Sequence, residues 1–297
     1  MLQAISTRSN SIWQRTTLAQ AWQTLKTAAW LEWQVQGNWT SPLLFLLYLV
    51  AKPLMAALVL VFMYWVISGF HSHGAFFGFL IVGSASWSFI EQILVGLPRT
   101  ILDDREQYAM LKYIYIAPQS FLAFLIGRSV PRMLAACISF SITLGFGVGI
   151  LGVPVDLPRV NYPLLLLALA LGFIAIVAFA IALAGLSLML KRSAWVMPDA
   201  MTGALYLLVG TIFPIAILPA WIEKIALALP LTYWLELMRR ALLGNAIGNV
   251  FPVTSTQTVL GLLLLTTGLA IVLCSGIFRL SEHVARERGL IDRLTGS

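Results

Sequence analysis

The residues that could do chemistry in this 297-residue chain gather in three places. The first is Pro98 to Ser120, a polar interruption that carries Arg99, Asp103, Asp104, Arg105, Glu106 and Lys112. Within it Ile101, Leu102, Tyr108, Leu111 and Tyr115 recur near helical spacing, which predicts a short helix with one apolar face. Charged groups around an apolar stripe suit docking of a soluble partner; a plain connector between apolar segments needs no such face. The second is the group Glu236, Arg239 and Arg240, where Glu236 stands at i, i+4 from Arg240 and three residues from Arg239, so either arginine could pair with it. The third is a set of isolated ionisable residues in or beside apolar runs: Lys52, Glu91 and Asp199. Buried charge is costly, so each is a functional candidate. Lys52 can also reach back toward water along its own stem, and Asp199 follows Pro198 near the end of a run.

Other patterns fall away on context. His71-Ser72-His73 could bind a metal but sits in a short loop, where such a pair is ordinary turn material. Gly147 to Gly152 reads GxGxxG, yet it follows a long apolar run rather than a strand, so close helix packing or a helix end explains it better than a nucleotide site. No Walker A sequence occurs, so ATP hydrolysis of the P-loop kind is not expected of this chain. Cys137 and Cys274 lie within apolar runs and suggest neither a disulfide framework nor a metal site. No apolar stretch with a small-residue cleavage site opens the chain, which argues against a removable signal peptide.

Composition sets the frame for these residues. The chain is 60% hydrophobic and 10% charged, where soluble domains carry about 25% charged residues. This predicts an all-α polytopic membrane protein. The net charge of +7 reflects basic residues beside apolar segments and does not suggest nucleic acid. Six spans of about 20 apolar residues are predicted within Pro42–Ile67, Ala75–Leu97, Ser129–Leu151, Tyr162–Leu190, Ala194–Leu218 and Thr256–Phe278. Lys191-Arg192-Ser193 is the tight turn between the fourth and fifth. Basic residues such as Lys26, Arg99, Arg105, Lys112, Arg128, Arg132, Arg279 and Arg286 fall on one side; Arg159, Lys224, Arg239 and Arg240 fall on the other. That asymmetry puts both termini in the cytoplasm of a multi-pass protein of the plasma (inner) membrane.

Three further regions complete the organisation. Residues 1–40 comprise a polar start and a helix in which Leu18, Trp22, Leu25, Ala29 and Trp33 share a face. Its tryptophans predict a helix lying in the headgroup zone. Residues 41–280 form the membrane domain, with the polar loop at 98–120 and an outer segment at 213–245; residues 281–297 are a cytoplasmic tail. The outer segment is too apolar for a free loop and too broken by Pro214, Pro219 and Pro230 for one helix. It predicts two short helices, the first with Trp221, Ile222, Ile225 and Leu229 on one face, the second capped by Thr232. They either dip into the outer leaflet or lie on the surface. Trp87, Phe89, Glu91, Tyr206 and Phe213 are candidates to line a path, although aromatic groups of this kind also fill membrane cores.

The order of parts resembles the membrane subunit of type-2 ABC exporters, the ABC-2 permease family. The polar loop is similar to that family's acidic-Arg-Glu, Leu-containing helix and Pro-x-Ser: here Asp104-Arg105-Glu106, Leu111-Lys112 and Pro118-Gln119-Ser120. The outer segment is similar in Phe213-Pro214, Leu218-Pro219, Pro230-Leu231-Thr232-Tyr233 and Glu236-Leu237-Met238-Arg239. Tyr108-Ala109 departs from the Gly-Thr found in many members. The resemblance implies a non-catalytic permease that pairs with a second permease chain, identical or different. It also implies a separate cytoplasmic ATPase that binds ATP and Mg, so that no cofactor is bound by this chain. The implied coupling residues are Asp104, Arg105, Glu106, Tyr108, Leu111, Lys112 and Tyr115, and the implied cargo is an amphipathic drug, lipid or lipid-linked glycan. An ion-coupled transporter and an integral lipid-modifying enzyme stay open. The second would want clustered acids or histidines around one cavity, and the sequence shows none.

Overall fold

A computed structural model describes residues 18–38, 42–67, 75–117, 120–153, 155, 157–190, 195–244, 251 and 255–290. His71 to His73, Lys191 to Ser193, Pro118 and Gln119 lie outside these. In chain order the helices are α1 (Leu18–Asn38), α2 (Pro42–Ile67), α3 (Ala75–Ile90), a π-helical turn (Glu91–Val95), α4 (Gly96–Glu106), α5 (Leu111–Ile116) and α6 (Phe121–Gly149). They continue with α7 (Tyr162–Met189), α8 (Met197–Leu208), α9 (Ala220–Ala228), α10 (Pro230–Leu243) and α11 (Thr256–Glu287). No strand occurs among the described residues.

Among the described residues five helices are long and apolar enough to cross a bilayer: Leu49–Val66 within α2, Phe76–Glu106, α6, α7 and α11. The chain is an all-α polytopic membrane protein. Two expectations about length are corrected. The second span does not stop at Leu97; it runs without interruption through the π turn to Glu106. It therefore carries Pro98 to Glu106, expected as loop, as its own last turns. The fifth expected span, Ala194–Leu218, is not one helix. The 12 residues of α8 rise about 18 Å, short of a hydrocarbon core of about 30 Å. Beyond it Gly210 takes φ +78° and Pro214 precedes a 3₁₀ turn at Ile215–Ile217. The segment has the apolar composition of a span, but a left-handed glycine and a proline break its backbone ladder.

The core is built around α7. Ala168, Ala175, Ile176, Ala180 and Ala184 are fully buried there, with α11 along one flank and α10 and α4 along others. A Cβ on Gly172 would lie 2.0 Å from the indole nitrogen of Trp234, so the missing side chain is what lets α10 press its tryptophan into α7. The GxGxxG glycines have a similar use. Gly147 backs onto Ile81 of α3, a Cβ there falling 2.5 Å from the isoleucine methyl, and α6 ends two residues later.

α1 packs along α6, but not through the face expected. Thr24, Ala28 and Glu32 point inward, whereas Trp22, Trp30 and Trp33 are 69%, 65% and 52% exposed. Small and polar groups allow the two helices to approach closely, and the indoles are left facing outward, where a headgroup zone suits them.

Candidate functional site

α1 and the ends of α4, α6, α8 and α11 meet at one end of the molecule, the basic end, which carries Arg99, Arg105, Arg128, Arg132 and Arg286. Its centre is a buried charge cluster. Arg128 on α6 donates through Nη2 to both Asp104 oxygens at 2.5 and 2.6 Å, and its Nη1 lies 2.9 Å from Glu32 on α1. Arg132, one helical turn on, pairs with Glu32 at 2.7 Å and donates to the Thr100 hydroxyl at 2.6 Å. Glu32, Asp104 and Arg128 are each about 1% exposed or less. Burial makes such pairs strong locally and costly to break. Two arginines of α6 thus rivet α1 through Glu32 and α4 through Asp104. Arg105 is buried as well and pairs with Glu106 at 3.0 Å, while Glu106 accepts from the Trp195 indole at 3.0 Å, just before α8. Asp104, Arg105 and Glu106, expected as an outward docking motif, point into the chain's own structure.

After Glu106 the chain turns through Ala109, which takes φ 49°, and enters α5. The expected stripe does not form one helix: Ile101 and Leu102 lie on α4, Tyr108 lies at the turn, and Leu111 and Tyr115 lie on α5, facing inward. Leu111 is 1% exposed. The Tyr115 ring stacks on Phe121 at 4.4 Å and lies under the Arg286 guanidinium at 4.9 Å, tying α5 to α6 and α11. Burial, together with the Glu282 carboxylate, pushes the Tyr115 hydroxyl above the ordinary phenol range despite Arg286, so it stays neutral. What projects outward is Tyr113 and Ile116, 66% and 79% exposed, with the Lys112 ammonium 5.5 Å from the Tyr113 ring centre. Tyr108 is also exposed, at the turn. A helical stripe must face something, and spacing alone does not say whether that is the chain itself or a partner.

Above the cluster a cavity of about 760 Å³ opens between α1, α2, the π turn, α4, α6 and Asp199 of α8. Three cross-element contacts run up its side of the molecule. Arg99 pairs with Asp199 at 2.7 Å, Lys52 with Glu91 at 2.5 Å, and the Trp87 and Tyr206 rings lie 4.7 Å apart. Lys52, Glu91 and Asp199, expected as candidate functional charges, are thus ion-paired and half-exposed. Glu91 opens the π turn, a winding often found at functional positions. Phe89 is elsewhere: it is buried between Phe140 and Trp234 in the core and does not line this cavity. Phe213 lies beyond the break after α8 and does not line the cavity.

At the opposite end, α9 and α10 are the two short helices expected. α10 is buried along nearly its whole length, inserted against α7, α11 and α3 rather than lying on a surface. Thr232 does not cap it. Its hydroxyl and that of Tyr233 donate back to the Ala226 and Leu227 carbonyls of α9 at 2.6 and 2.7 Å, which clamps the joint around Pro230. Glu236 accepts from Arg240 at 2.7 Å; that is the i, i+4 alternative. Arg239 instead donates to the Gly210 and Thr211 carbonyls at 2.8 and 3.0 Å and stacks 3.4 Å from the Phe79 ring centre. It supplies the hydrogen bonds that the broken backbone after α8 lacks. On α9, Trp221 and Ile225 are exposed rather than packed.

The family model of ABC-2 type transporters matches residues 23–243, from within α1 to the last residue of α10. The chain belongs to the ABC-2 type transporter family. It is therefore the membrane permease of an ABC transporter. No curated protein matches it. The ABC-2 match covers the outer segment whose Pro-x-Thr-Tyr and Glu-x-x-Arg residues form the α9–α10 clamp and the two arginine contacts. Glu32, Arg128, Arg132 and Trp195, which organise the basic end of this ABC-2 permease, were not singled out from sequence as site residues. Arg128 and Arg132 at i, i+4 on one face of α6 were the available signal, but their partners lie on other helices and no spacing rule links them.

Proposed function

We propose that this chain is the permease half of an ATP-driven exporter that moves an amphipathic substrate outward. The basic end faces the cytoplasm, with both termini there, in the plasma (inner) membrane. α5 is the element that a separate ATPase chain grips, and ATP with Mg is bound on that chain. The observation that carries this reading is the two-sided seating of α5. Leu111 and Ile114 are buried and Tyr115 roots the helix on Phe121 of α6 and Arg286 of α11, while Tyr113 and Ile116 stand out from the basic end. A six-residue helix rooted in this way can pass a push from outside to the spans without bending first. A second permease chain, the same or different, closes the transport path along the side that exposes α2 and α8, where Met55, Val59, Met201 and Leu207 are uncovered.

The test is Ile116→Asp. Ile116 touches little of its own chain, so the variant should reach the membrane at normal abundance. Losing one buried aliphatic contact costs roughly 1.5–3 kcal/mol, and burying a carboxylate costs more. Co-purification with the ATPase should fall at least tenfold, or transport should stop while ATP hydrolysis continues. Full assembly and transport in the double variant Tyr113→Asp/Ile116→Asp would show that α5 is not the grip.

A further inference from the structure

We propose that the cavity beside α2 is a binding site for cationic amphipaths, with Asp103 as the group that receives the positive charge. This deepens the functional reading above, because it supposes that the cavity serves the transported substrate. At about 760 Å³ it falls within the range of sites for small organic ligands, roughly 300–1,000 Å³.

Charge pairing decides the sign. The cavity is lined by the bases Lys52, Arg99, Arg128 and Arg132 and by the acids Glu32, Glu91, Asp103, Asp104 and Asp199. Lys52 is taken by Glu91, Arg99 by Asp199, Arg128 by Asp104 and Arg132 by Glu32. Among the described residues Asp103 is the one acid of this wall with no cation at ion-pair distance, although Arg132 and Arg128 attract it from further off. Its surroundings suit an organic cation better than a small hydrated one. The Tyr108 ring lines the same cavity, and α2 contributes Leu44, Leu47 and Leu49. A carboxylate beside an aromatic face is an established way to hold a substituted ammonium, and the leucines give its apolar part a dry wall. Asp103 stands 12 residues from Glu91 along one continuous helix, about 18 Å. A ligand would thus rest its charge near the basic end and its apolar body toward the Lys52–Glu91 pair.

The experiment uses two near-isosteric ions of opposite charge, tetraphenylphosphonium and tetraphenylborate, on the purified full chain in neutral detergent. Labelled tetraphenylphosphonium should bind saturably and an excess of an alkyltrimethylammonium ion should displace it, whereas labelled tetraphenylborate, measured in a separate sample, should not bind saturably. Asp103→Asn should weaken binding by roughly tenfold, and Asp103→Glu should restore most of it. Saturable binding of tetraphenylborate alone as tight as that of the cation overturns the proposal, as does unchanged affinity in Asp103→Asn or the absence of saturable binding of the cation. The comparison of the two ions on the unaltered chain decides the matter even if a variant fails to fold. Neither ATPase nor transport enters the measurement. A failed export assay therefore leaves this site standing, and failed binding leaves the docking role of α5 standing.

Discussion

Ala109 turns the chain between α4 and α5 with a left-handed backbone. A side chain in that region costs about 1–2 kcal/mol. Part of this would be offset in glycine by the greater entropy of the unfolded chain, about 0.5–1 kcal/mol. Ala109→Gly should therefore stabilise the purified protein by roughly 0.5–1 kcal/mol, read as a small rise in thermal midpoint; a fall would mean that the Ala109 methyl matters to packing. Glu32 poses the opposite case. It is buried and holds two guanidinium groups at once. Glu32→Ala should cost about 3–5 kcal/mol, visible as loss of folded protein in the membrane, and restoring neutrality with Arg132→Met should recover part of it. The first of these residues was legible as a departure from a family pattern. The second was not. Glutamate and arginine 96 positions apart leave no trace in local spacing, and Glu32 reads from sequence as one more polar residue of a surface helix.

Elements were legible where backbone chemistry decides and illegible where direction decides. Prolines at 214, 219 and 230 mark the broken outer segment: α9 falls between Pro219 and Pro230, and α10 begins at Pro230. The reading of Ala194–Leu218 as a span failed because hydropathy records composition, while Gly210 and the Arg239 contacts record a chain that has left the helix. The stripe of Ile101, Leu102, Tyr108, Leu111 and Tyr115 predicts one short outward-facing helix, whereas the structure divides it between α4, the Ala109 turn and α5, and Leu111 faces in. Packing of α10 on α7 gives a test at this scale. Gly172→Ala places a methyl on the Trp234 indole and should cost about 1–3 kcal/mol in resistance to denaturation. Trp234→Leu should lose stability alone, yet relieve the clash when combined. A strictly additive double variant would mean that the two residues do not share one contact.

For the whole molecule the arrangement fixes which loops share a compartment. In a background of Cys137→Ala and Cys274→Ala, Arg159→Cys should react with a membrane-impermeant maleimide in intact cells. Gln107→Cys should react only after permeabilisation. The reverse pattern would invert the molecule and remove any cytoplasmic grip from α5. The π turn at Glu91–Val95 also has a consequence for the molecule as a whole. It inserts one residue into an otherwise regular winding, so the helix above it and the helix below it are out of phase by about 100°. Trp87 answers to Tyr206 in one phase; Arg99 and Asp104 answer to Asp199 and Arg128 in the other. Deleting Gln92 alone would leave the span apolar and helical yet bring both halves into a single phase. Either the upper or the lower set of partners would then point away from its mate, and the protein would insert but fail to assemble its two ends together.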